Sequence, residues 1–178
     1  MSYAFPLACL MLGALDLMAA TSLPAPRHTP DGLAKGVAAP AFRLMDTTGK
    51  AVALSDFRGK VVYLDFWFTG CHPCMAEMPA LAQLRAQFRG RDVVFVGISI
   101  ETYVEGWKQT VAEHALGGPG SVQLLDPQGK YATRAYGVQG FPTYMVLGRD
   151  GRVLDGNAPR PSATARVARE LERALAAQ

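Results

Sequence analysis

The chain has 178 residues, 49% apolar and 19% charged, which suits one ordinary domain with its own core and excludes a disordered or fibrous chain. Its formal net charge of +3 comes from 18 basic and 15 acidic residues with no block of like charge, so no electrostatic footprint for nucleic acid is present. Three cysteines, Cys9, Cys71 and Cys74, are too few for a disulfide scaffold, and the second ligand pair of a zinc ribbon is missing.

Residues 5–20 read FPLACLMLGALDLMAA and end at small residues. A run of this kind, about 15 residues long, matches a signal-peptide core and is short for a membrane span. Residues 1–25 are therefore expected to be a signal peptide or N-terminal anchor, which predicts a periplasmic or other extracytoplasmic location. Residues 26–38 are expected to be a linker, and residues 39–178 the folded domain. No Lys or Arg precedes Arg27, and Asp16 interrupts the run, so an apolar helix packed on the domain stays open. Cys9 lies inside this segment and is expected to be removed or inert.

After the linker, strands over 41–44 and 51–54 flank a turn at 46–50 and predict a hairpin. A turn at 55–60 feeds residues 61–67, VVYLDFW, whose unbroken apolar run is that of a central strand buried on both faces. Asp65 is then a carboxylate inside the core. From Cys71 the pattern turns helical, with Met75, Met78, Leu81, Leu84 and Phe88 at spacings of three and four, Pro79 inside, and a stop at Gly90. A strand over 93–99 and a helix over 104–115 follow. Next come a short strand over 122–125, a short helix over 130–136, and a hairpin of 144–147 with 152–155. A last amphipathic helix starts near Ser162, read as its N-cap, with Val167, Leu171 and Leu175 on one face. Alternation of strand and helix predicts an α/β layer with parallel neighbours.

Chemistry concentrates in residues 66–79, FWFTGCHPCMAEMP. A bridge between Cys71 and Cys74 would close a very short loop and stabilise the fold little, so reactivity is the expected role. A cysteine at a helix N-terminus faces unpaired N–H groups and the positive end of the helix dipole, and both favour thiolate, the nucleophile of disulfide exchange. His72 adds a donor or positive charge beside it, which favours the reduced form. Cys74, one turn on, is the resolving thiol, and its proton needs an acceptor. Asp65 and Glu77 are the two candidates.

These features are similar to those of the thioredoxin superfamily, and most of all to its secreted TlpA/ResA-type branch. The similarity extends from about residue 39 to the end and rests on AFRLMDTTGKAVALSDFRGKVVYLDFW, CHPCMAEMP and GVQGFPTYMVLGRDGRV. It implies a thioredoxin-like α/β fold with an N-terminal β-hairpin and a helix-strand insertion over about 101–122. It also implies a cis Pro142 beside the cysteine pair, with Phe141 pairing along an extended substrate and Trp67, His72 and Thr143 at the substrate contact. The implied enzyme is a protein-disulfide oxidoreductase acting on protein thiols and disulfides, with a membrane electron donor or acceptor as partner and no cofactor or metal. Reduction, in cytochrome c maturation or a related process, is the expected direction. A disulfide-donating oxidase and a copper-binding chaperone of the same fold, using Cys71, His72, Cys74, Met75 and Met78, are the alternatives. Gly70 departs from the tryptophan usual before the first cysteine, and Asp65 and Glu77 are not usually found together.

Overall fold

The computed structural model describes residues 28–29 and 32–177. The expected signal or anchor, with Cys9 and Asp16, lies outside them. Among the described residues no helix is long and apolar enough to cross a membrane.

Two short strands, β1 (His28–Thr29) and β2 (Gly32–Leu33), pair with each other ahead of the main sheet. The expected linker is thus partly packed: Leu33 is a core residue, and Gly36 and Ala39 donate backbone hydrogen bonds to Val153 and Gly151. Gly32 and Gly156 permit this, because a Cβ on either would strike the other segment's backbone.

The central sheet holds β3 (Arg43–Asp46), β4 (Ala51–Ala53), β5 (Val61–Trp67), β6 (Val93–Ser99), β7 (Ser121–Leu125), β8 (Thr143–Leu147) and β9 (Val153–Asp155). Their order is β4-β3-β7-β6-β5-β8-β9. β5, β6 and β7 run parallel, and β3, β4, β8 and β9 are joined antiparallel at the two sides. The long helices are α1 (His72–Gln87), α2 (Val104–Glu113) and α4 (Thr164–Ala176); α3 (Ala132–Ala135) is one turn. The hairpin of β3 and β4 turns on Asp46, whose Oδ1 accepts from the N–H groups of Thr48 and Lys50, and a 3₁₀ turn at Leu54–Phe57 leads into β5. The strand β7, delivered by the segment containing α2, separates β6 from that hairpin, where the helix-strand insertion is expected.

All residues of β5 and of β6 are buried, as the unbroken apolar runs require. Side chains alternate across the sheet. Val62, Leu64, Phe66, Val96 and Ile98 pack on one side with Leu44, Phe42 and Tyr136. Val61, Tyr63, Val93 and Phe95 meet Leu81, Leu84, Val167 and Leu171 of α1 and α4 on the other. Asp65 and Trp67 share the parity of Tyr63, so both face the side covered by α1. Ser162 does not cap α4: the cap position is Ala163, without a side-chain bond, and Ser162 is engaged elsewhere.

Candidate active site

β5 ends at Trp67 and three residues turn the chain into α1, so Cys71 becomes the N-cap of that helix with extended backbone. Its N–H donates to the Phe68 carbonyl and its carbonyl accepts from Met75, which holds the residue in place. Cys71 and Cys74 form a disulfide with Cα atoms 5.2 Å apart. The Cys74 N–H donates to Cys71 Sγ at 3.2 Å. That backbone donor and the open end of the helix surround Cys71, not Cys74, so a thiolate on Cys71 is the better supported of the two. The sequence reading expects an exposed first sulfur and a covered second. In this disulfide form both residues are covered, at 5% and 3% exposure, packed in a cluster with Trp67, Met78 and Phe141. Asymmetry between the cysteines lies in the backbone donors.

The Phe141–Pro142 peptide bond is cis. Phe141 packs against the cluster that contains Trp67, Cys71, Cys74 and Met78, so the loop before β8 sits beside the disulfide. Its ring meets that of Phe68 edge-on at 5.3 Å, forming an apolar wall. Thr143 opens β8, half-buried, with its hydroxyl donating to the Gly140 carbonyl at 2.7 Å. His72 is the first residue of α1 and is exposed.

Trp67 requires a correction. At 1% exposure it offers no surface to a substrate; its ring lies beneath the cysteines, with Trp107 and Val111 of α2 beside it. The physical reason is parity, since a side chain at this position of a buried parallel strand points under α1 and not out of the sheet edge. Its indole N–H donates to Gln123 Oε1 at 3.2 Å, and Gln123 Nε2 reaches the Leu116 carbonyl at 3.3 Å. Gly97 makes room for Gln123, because a Cβ there would collide with the Gln123 amide. A glycine inside a buried strand is the one sequence signal that could have pointed to this arrangement.

Both candidate carboxyls are buried at 8% exposure. Asp65 Oδ1 has no hydrogen-bond partner. Burial first, then the negative charge of Glu77, pushes the Asp65 carboxyl up from its ordinary 3.8 to about 8. Burial and then Asp65 also push up the phenols of Tyr63 and Tyr144. Glu77, expected on the same helix as the cysteines, accepts from Ser162 through both oxygens: the backbone N–H at 2.8 Å and the hydroxyl at 2.9 Å. Ser162 carries no motif that would have marked it, since its partner is 85 residues away. Among the described residues no group of three or more His, Cys, Asp or Glu side chains is placed to hold a metal ion.

The site is thus a disulfide at a helix N-terminus, walled by Phe68 and the Pro142 loop, with two unequal carboxyls buried nearby on β5 and α1, the elements that meet at the cysteines. Comparison with known proteins shows the family and the fold. The Redoxin family model matches residues 34–174. The thiol-disulfide oxidoreductase ResA of Bacillus thuringiensis subsp. konkukian is 32% identical over 119 residues, which span 67% of this chain and 66% of that protein, just under two thirds of its length. The thiol-disulfide oxidoreductase ResA of Bacillus subtilis is 31% identical over 124 residues, 70% of this chain and 67% of that protein. Among solved structures, the thioredoxin domain of a thiol-disulfide oxidoreductase from Bacteroides vulgatus superimposes with TM-score 0.69 at 29% identity, over 78% of this chain and 97% of that one. A thiol:disulfide interchange protein from Bacteroides sp. gives TM-score 0.68 at 29% identity, over 78% and 91%. The chain belongs to the Redoxin family and, by fold and site, is a TlpA/ResA-like member of the thioredoxin superfamily.

Proposed function

We propose that this protein is a protein-disulfide oxidoreductase that reduces disulfides of extracytoplasmic proteins, in cytochrome c maturation or a related process, drawing its electrons from a membrane donor. The observation that carries the reading is the Cys71–Cys74 disulfide at the start of α1, with the cis Pro142 loop packed beside it. In the reduced protein the Cys71 thiolate attacks one sulfur of a client disulfide. A mixed disulfide forms and the other client sulfur leaves as thiolate. Cys74 then gives its proton to a nearby carboxylate and attacks Cys71 Sγ, which releases the second client thiolate. Two electrons pass to the client, and the Cys71–Cys74 disulfide described above is the product. The backbone of Phe141 and Thr143, with exposed His72, supplies the surface along which an extended client segment lies.

Support for the extracytoplasmic setting comes from the apolar run at 5–20 and from the likeness to ResA proteins. The deciding experiment is insulin reduction with dithiothreitol as electron source, joined to a redox titration of the Cys71–Cys74 couple. A reductase gives turnover that Cys71→Ser abolishes and a potential near about −270 mV, whereas a couple near about −120 mV would make the protein a disulfide donor instead.

A further inference from the structure

The cysteine end of the sheet carries more than the cysteines. Trp67 of β5 lies level with Ser99 of β6, Ser99 with Leu125 of β7, and Leu125 with Met45 of β3, so these four residues form one row across that end. The chain leaves β5 there to reach Cys71, leaves β6 to reach Tyr103 and Val104, and leaves β7 to reach Tyr131. Hydrogen bonds tie the three loops side by side: Ile100 N–H donates to the Trp67 carbonyl at 3.4 Å, Thr69 N–H to Glu101 Oε1 at 2.6 Å, and Gln128 N–H to the Ile100 carbonyl at 3.1 Å. Tyr103 is 70% exposed, Tyr131 64%, Met45 54% and Val104 40%, and among the described residues these are the exposed large hydrophobic side chains. All four therefore lie at the end that holds the disulfide. Gly106 seats the Tyr103 ring, because a Cβ there would strike it. Exposed apolar side chains scattered singly need no explanation, whereas a set gathered beside a reactive centre marks a contact surface.

We infer that Tyr103, Val104, Tyr131 and Met45 form an apolar ridge that docks an extended client segment beside its cysteine, so that clients with aromatic or aliphatic residues near the attacked sulfur are preferred. This rests on the disulfide-exchange reading above and names the chemistry of the segment that is bound. The occupant follows from continuity: the enzyme acts on protein disulfides, the client's bond has to reach Cys71, and the ridge begins one strand away from it. Neighbouring strands are about 4.8 Å apart, so the row from β5 to β3 spans about 14 Å, the length of about four extended residues. A client segment crossing the strand ends from Cys71 meets Tyr103 and Val104 first, then Tyr131, then Met45. β8 and the Pro142 loop lie on the opposite side of β5, so the ridge is a surface apart from Phe141 and Thr143. The client is then held on both sides of the attacked sulfur. Tyrosine and methionine suit this role, since an amphipathic ring tolerates water when the ridge is empty and a thioether adapts to unlike side chains.

Two synthetic peptide disulfides test the ridge on the full-length chain; one carries Leu and Phe within about four residues of each cysteine and the other carries Ser there. The reduced protein should reduce the apolar peptide at least about fivefold faster than the Ser peptide, the effect of one contact of hot-spot size. Tyr103→Ser combined with Tyr131→Ser should abolish that preference by slowing the apolar peptide to the rate of the Ser peptide, and Tyr103→Phe with Tyr131→Phe should keep it. Equal rates for the two peptides in wild type, a Ser double variant that keeps the ratio between them, or a Phe double variant that behaves as the Ser one would each overturn the inference. Sedimentation velocity showing a dimer that the Ser double variant dissolves would overturn it too, since a second copy would then be the occupant. Binding of a cysteine-free version of the apolar peptide to the disulfide form, read by fluorescence anisotropy, separates the ridge from the reading beneath it. Such binding, lost in the Ser double variant, with no reduction of either peptide by wild type defeats the exchange reading alone. Reduction of both peptides at one rate, without that binding, defeats the ridge alone.

Discussion

Replacing Asp65 by Asn should change how stability depends on pH, and the direction follows from the burial of that carboxyl. In the folded disulfide form its pKa is raised from the ordinary 3.8 to about 8. Between those values the folded chain keeps a proton that the unfolded chain has released. Stability that is fully present below about pH 4 is therefore lost as the pH rises, at about 1.4 kcal/mol per pH unit, until the folded carboxyl itself ionises near pH 8. By pH 7 the accumulated loss is about 4 kcal/mol, a large part of the stability of an ordinary domain. Asn cannot ionise, so Asp65→Asn removes this slope while leaving a constant offset from its buried amide. Urea denaturation of the disulfide form at half-unit steps from pH 4 to pH 8 measures it. With an m-value of about 2 kcal/mol/M, the wild-type midpoint should fall relative to that of Asp65→Asn by about 2 M between pH 4 and pH 7, whatever the offset between them at pH 4. Parallel curves, with a gap that does not vary with pH, would refute the reasoning, because they would mean that Asp65 has the same proton affinity folded and unfolded.

Cys74→Ser should accumulate mixed disulfides between Cys71 and client proteins, seen as reductant-sensitive bands on gels, while Cys71→Ser should accumulate none. In the reduced protein at pH 6, iodoacetamide should modify Cys71 at least tenfold faster than Cys74, because the helix N-terminus and the Cys74 N–H face only the first sulfur; equal rates by mass spectrometry would count against it. Gly97→Ala should expel the Gln123 amide from its place beside Trp67, lowering stability by about 1 to 3 kcal/mol and shifting tryptophan emission. Leu84→Ala, at a fully buried position of α1 against the sheet, should lower stability by about 2 to 5 kcal/mol in thermal or urea unfolding without altering the redox potential.

Local pattern alone was enough for the elements whose surroundings are uniform. β5 and β6 have the bounds their apolar runs predict, and α1 starts at the cysteine pair and stops before Gly90, because a strand buried on both faces and a helix behind it leave a continuous signature in the chain. The reactive character of the cysteine pair was legible from spacing and neighbours, whereas the cis Pro142 loop came from the resemblance to the thioredoxin superfamily, since by itself Gly-Phe-Pro-Thr reads as an ordinary turn. What the sequence could not determine was any property set by a partner distant along the chain. Whether Trp67 meets substrate or lies beneath the cysteines depends on which face of the sheet α1 and α2 cover, and they cover its own. Ser162 reads locally as a helix cap, yet tertiary packing brings it to Glu77. Two acidic residues, equivalent as letters, become a satisfied acceptor and an orphaned acid only when folding gives one of them donors and withholds them from the other. Charge and hydrogen bonding act over a few ångströms of space, and that proximity is created by the fold.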